Sequence, residues 1–107
     1  MITGKQRSYL KKLGHELEPV VYIGKSDMTE NVIKEMDNLL ESRELIKVKL
    51  QEGSTLDPKE AANSAAEALG AEFVQAIGRR FVLYRQASDK EKRKIVLPRE
   101  ARSSGDC

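Results

Sequence analysis

Apolar residues recur along this chain in two rhythms, one of about 3.6 residues and one of two, and the switches between them mark its elements. Tyr9, Leu10, Leu13 and Leu17 make one stripe of a first helix, and the Thr3 hydroxyl is suited to capping its free backbone N–H groups. Gly14 and His15 weaken the end of that helix near Leu17, and Pro19 follows. Val20 to Ile23 is an unbroken apolar run that predicts a short buried strand. A second helix is predicted from Thr29 to Ser42, where Val32, Met36, Leu39 and Leu40 keep helical spacing among charged neighbours. The rhythm then changes over Leu45 to Gln51. Ile46, Val48 and Leu50 alternate with Lys47, Lys49 and Gln51, which predicts a half-buried strand with one wet face.

Asp57 and Pro58 open a third helix, whose alanines at 61, 62, 65, 66 and 68 let it lie close to a sheet, and Gly70 ends it after Leu69. Glu72 to Ile77 and Arg80 to Gln86 read as two strands joined by a Gly78-Arg79 hairpin turn. The order α-β-α-β-α-β-β predicts an α/β fold, two-layered, with a mixed sheet backed by helices: right-handed βαβ crossovers give parallel strands and the hairpin adds an antiparallel one. Tyr22, Phe73, Phe81 and Tyr84 sit among apolar strand neighbours and are expected in the core, as is Tyr9. Exposed rings could instead serve as stacking platforms for bases.

With 107 residues the chain is read as one domain over 1–87, followed by a basic, partly disordered tail over 88–107 in which Ile95 to Leu97 pack back weakly. No run of about 18 apolar residues is present, so no membrane span or membrane partner is expected. A single cysteine, Cys107, fits a reducing, cytoplasmic setting. The net charge of +2 hides segregation: +4 over residues 1–15, −7 over 16–78 and +6 over 79–102. Both ends can therefore build a basic surface toward a polyanion, unless they are only solvated surface and tail.

Chemistry concentrates between Val20 and Val32. The first strand runs into Gly24, Lys25, Ser26 and Asp27, and Thr29 then caps the next helix. Helix-start N–H groups beside Lys25 suit an anion such as phosphate, although the same residues make an ordinary strand-to-helix turn. Lys5, Arg7, Lys11 and Lys12 fall mostly off the first helix's apolar stripe, and Arg79 and Arg80 sit at the hairpin. His15 and Cys107 have no catalytic partner. Neither a metal-ligand spacing nor a Walker-type loop is present, so a non-enzyme without cofactor or metal is expected.

These motifs, in this order, resemble the CRM (chloroplast RNA splicing and ribosome maturation) domain family, and within it the single-domain bacterial YhbY-like proteins. The likeness rests on Ile-Gly-Lys-Ser-Asp-Met-Thr at 23–29, Leu-Ile-Lys-Val-Lys at 45–49, Gln-Ala-Ile-Gly-Arg-Arg-Phe-Val-Leu-Tyr-Arg at 75–85 and Lys-Arg-Lys-Ile-Val-Leu-Pro-Arg at 92–99. It implies a four-stranded mixed sheet of order 1-2-4-3, similar to the C-terminal domain of translation initiation factor 3. It also implies a Gly-x-x-Gly recognition loop. Gly24-Lys25-Ser26 fits that loop, while Asp27 stands where the second glycine is usual.

The implied function is RNA binding without catalysis, on ribosomal RNA in precursors of the large ribosomal subunit, in support of ribosome assembly and as a monomer. The residues expected at the RNA are Gly24, Lys25, Ser26, Asp27 and Thr29 of the loop, Lys5, Arg7, Lys11 and Lys12 of the first helix, and Arg79, Arg80 and Arg85, the last closing the family's Leu-Tyr-Arg motif. Two other readings remain: a module docking on ribosomal proteins or assembly factors through the acidic middle, and a small-ligand phosphate binder using the Gly24 loop alone.

Overall fold

Helix α1 (Gly4–His15) begins where Thr3 and Gln6 close a capping box, each side chain accepting the other's backbone N–H. The structure, a computed structural model, describes residues 3–24, 29–52, 56–93 and 95. After α1 come β1 (Val21–Ile23), α2 (Glu30–Arg43), β2 (Leu45–Leu50), α3 (Pro58–Leu69), β3 (Glu72–Ile77), β4 (Arg80–Tyr84) and a 3-10 turn at Lys90–Lys92. The caps are those the side chains suggested. Thr29 accepts from the Val32 amide, Asp57 accepts from the Glu60 amide, and Gly70 leaves α3 in the left-handed conformation with φ 64°.

The strands form one sheet of order β1-β2-β4-β3, with β1 parallel to β2 and β4 antiparallel to both its neighbours. One face is closed by α2 and α3. Ile46, Val48 and Leu50 of β2 and Phe81 and Leu83 of β4 pack there against Met36, Leu40 and the α3 alanines at 61, 62 and 65. The mixed α/β architecture is as expected, with one correction to the layering. Helix α1 lies on the opposite face, where Leu10 joins Leu45, Val74, Val82 and Tyr84, so part of the sheet has three layers. The wet side of β2 is thus reduced to Lys47 and Lys49, because Leu45 is buried beneath α1.

Gly14, which costs α1 helix propensity, is what lets it sit this low: a Cβ there would come within 3.2 Å of a Val82 methyl. The helix stops at His15 rather than Leu17, and Leu17 packs on the cluster from the chain beyond. Two tyrosines depart from expectation. Phe81 and Tyr84 are buried and Phe73 is half-buried, but Tyr9 is 36% and Tyr22 50% exposed. On β1, Val21 and Ile23 take the core side, so strand alternation sends Tyr22 to the other. On α1 the buried stripe centres on Leu10 and Gly14, leaving Tyr9 at its edge.

The body also continues past residue 87. Glu41 accepts hydrogen bonds from the Ser88 amide (3.1 Å), the Ser88 hydroxyl (2.9 Å) and the Asp89 amide (3.1 Å). Glu44 is fully buried and accepts from the amides of Ala87 (2.7 Å) and Ile95 (2.9 Å). A buried carboxylate is tolerable only with such donors. Residue 44 ends α2 at φ 69°, a turn that keeps its N–H on the Leu40 carbonyl. Burial, reinforced by the Glu44 charge and opposed by Arg93, raises the Tyr84 phenol above its ordinary pKa. Ile95 packs beside the α1 cluster, whereas Val96 and Leu97 lie outside the described residues.

Candidate nucleic-acid interface

Three segments meet at the end of the sheet where β1 stops. Gln51 donates to the Ile23 carbonyl at 2.8 Å, and a Cβ on Gly24 would lie 3.3 Å from the Gln51 side-chain oxygen, so Gly24 turns the chain beside the end of β2. The β3–β4 hairpin reaches the same place. Leu50 donates to the Arg79 carbonyl at 2.7 Å, and the Arg79 guanidinium donates to the carbonyls of Leu50 (3.3 Å) and Gln51 (3.2 Å). Thr29, the next described residue after Gly24, caps α2, with Glu30 as the acid of its first turn. Lys25, Ser26 and Asp27 lie outside the described residues; the flanking Gly24 and Thr29 fix where their loop leaves and re-enters the fold.

The other expected residues separate into two groups. Lys5, Lys11 and Lys12 are exposed along α1. Arg7 is half-buried and donates to the Phe73 carbonyl, which ties the first turn of α1 to β3. Arg85 is likewise engaged within the fold: it donates to Asp37 Oδ1 (2.7 Å), to the Asp37 carbonyl (3.0 Å) and to the Leu69 carbonyl (3.0 Å), clamping α2 to the end of α3. It follows the last residue of β4, while Arg79 and Arg80 stand at the strand's beginning.

Between α1 and the loop end lies a surface that the residue-by-residue reading missed. Tyr22, Lys49, Arg80 and Ile77 are Cα partners in succession across all four strands, on the face opposite the α2–α3 core. The next row places Lys47 beside Val82 and Gln75. A groove of about 190 Å³ runs there, lined by His15, Lys47, Gln75, Ile77, Arg80 and Val82. The alternation of β2 already put Lys47 and Lys49 on one side; only the strand order brings Arg80 and Tyr22 next to them. Among the described residues no group of three His, Cys, Asp or Glu side chains could hold a metal, and no helix is long and apolar enough to cross a membrane.

The family model of the CRS1/YhbY (CRM) domain matches residues 2–85. This chain belongs to the CRM domain family. It is similar to the probable RNA-binding protein YqeI of Bacillus subtilis, 37% identical over 98 residues that span 92% of this chain and all of that protein. An RNA-binding protein of Haemophilus influenzae is 39% identical over 99 residues, 92% of this chain and 97% of its own. The solution structure of the hypothetical protein SAV1595 from Staphylococcus aureus, described as a candidate RNA-binding protein, superposes with a TM-score of 0.74 at 43% identity, covering 92% of this chain and all of that one. The CRM domain here thus keeps the fold of single-domain bacterial relatives along nearly its whole length.

Proposed function

We propose that this CRM protein binds ribosomal RNA in precursors of the large ribosomal subunit, in the cytoplasm and as a monomer, and assists assembly by holding RNA structure without catalysis. The names of its relatives support RNA as the partner. The observation that carries the reading is the meeting of the Gly24 turn, the end of β2 and the arginine hairpin at one end of the sheet, with the exposed lysines of α1 extending the basic surface. Phosphate oxygens would take the backbone N–H groups and Lys25 at the loop, with Ser26 and Thr29 beside them, while Lys5, Lys11 and Lys12 widen the footprint. Three acids of the acidic middle are engaged within the fold, Asp37 by Arg85 and Glu41 and Glu44 by backbone amides of residues 87, 88, 89 and 95, which leaves less of its charge for docking a protein partner.

The test is a salt titration of binding to large-subunit ribosomal RNA. Affinity is expected to fall log-linearly with salt, and the Lys11→Gln, Lys12→Gln double variant to lower that slope by about 1.5–2. Absence of measurable binding at low salt would overturn the reading. Binding that ignores the α1 lysines would favour a phosphate site confined to the Gly24 loop.

A further inference from the structure

We propose that the open end of the α1-side sheet face is a platform for single-stranded RNA, with Tyr22 stacking a base while Lys49 and Arg80 hold the adjoining phosphates. This inference rests on RNA being the ligand and adds where unpaired bases go.

Four observations lead to it. The row Tyr22–Lys49–Arg80–Ile77 crosses the whole sheet, one residue per strand, with Tyr22 50% and Ile77 58% exposed at its ends. Helix α1 cannot cover it, since the helix ends at His15 and its close contact with the sheet is at Val82, one row away. Lys49 and Arg80 are directly opposed on neighbouring strands, an arrangement that destabilises a sheet. No hydrogen bond or ion pair among the described residues engages either side chain, nor that of Lys47 on the same face, and Glu52, which lines a groove with Lys49, lies beyond the end of β2. The fold gains nothing from that pair of cations, whereas a phosphodiester would neutralise both.

The apolar ends of the row decide the kind of polyanion. A duplex presents phosphates but hides its base faces, so it could satisfy Lys49 and Arg80 and leave Tyr22 and Ile77 in water. An unpaired strand has both, and four-stranded sheets elsewhere stack two or three bases this way. The row spans three inter-strand steps, about 14 Å. Lys11 and Lys12 sit one helical turn before His15 at the rim of the groove, so the strand can pass from the platform onto α1.

Anisotropy of a labelled 12-nucleotide oligouridine and of a blunt 12-base-pair RNA duplex, each titrated with the full chain, tests this. Tyr22→Ala is expected to weaken oligouridine binding about 5- to 100-fold and to change duplex binding less than about twofold. The wild type is expected to show ligand-dependent quenching of tyrosine emission, and Tyr22→Phe should keep the affinity while losing most of that quenching, a readout independent of any loss of fold in the alanine variant. Equal oligouridine affinity of wild type and Tyr22→Ala, or quenching unchanged in Tyr22→Phe, would overturn the platform. If the α1 lysine variant still loses affinity in that case, RNA binding stands and only the platform fails. If the wild type binds neither RNA, both fall.

Discussion

The two faces of the sheet are built from the same strands and could hardly differ more. Toward α2 and α3, every inward position of β2 and β4 is apolar and almost completely buried, and the facing alanines bring α3 down onto them. Toward α1, half of the face is sealed by Leu10, Leu45, Val74, Val82 and Tyr84, and the other half carries Lys47, Lys49, Arg80 and two exposed apolar side chains. Residue parity makes the division, because a strand sends neighbours to opposite sides. On the proposed reading, the first face serves stability alone, while the second combines a smaller buried cluster with an open half available for recognition.

Substitutions that reach only one face should separate those roles, and the largest effect belongs to the closed one. Ile46→Ala removes a fully buried side chain opposite Leu83 and should cost about 2–5 kcal/mol of unfolding free energy in urea. The RNA affinity of the protein that remains folded should be unchanged. An affinity loss at full folding would mean that the faces are coupled. Next in size is Gly14→Val, which places a branched side chain where even a Cβ meets Val82 at 3.2 Å. Lifting α1 should cost about 1–3 kcal/mol and also weaken RNA binding, since Lys11, Lys12 and His15 move with it. An unchanged melting temperature would show that α1 is not docked this closely.

Periodicity made the elements legible because each has its own cap: Thr3, Thr29 and Asp57 all act as their side chains suggested, and the closing turn at Gly78 lies where the hairpin was read. The second packing cluster was not legible. Nothing local tells Leu45 that α1, some thirty residues earlier, will return to cover it, or that Glu44 will gather amides from residues 87 and 95. The candidate site divides in the same way. Gly24, Thr29 and the hairpin arginines could be named from motifs, yet Arg7 and Arg85 are shown holding α1 and α2 in place only by partners distant in sequence, Phe73, Asp37 and Leu69. Tyr22 read as core for a related reason. A strand of three residues flanked by valine and isoleucine has too short an alternation to reveal which side is covered.

The smallest expected change is the most discriminating, because it should carry opposite signs for fold and for ligand. Lys49→Glu turns the opposed pair with Arg80 into an attractive one. Cross-strand charge pairs are worth about 0.2–1 kcal/mol, so the melting temperature should rise by up to about 5 °C at low salt. The gain should fade as salt screens an exposed pair. Oligouridine affinity should fall at the same time, since a phosphate would now meet a carboxylate between Tyr22 and Arg80. A side chain kept for the fold cannot give that result: losing it would lower stability and leave RNA binding alone. If Lys49→Glu melts earlier than the wild type and binds oligouridine as well, the row is part of the scaffold and the recognition surface shrinks to the Gly24 loop, the hairpin arginines and α1.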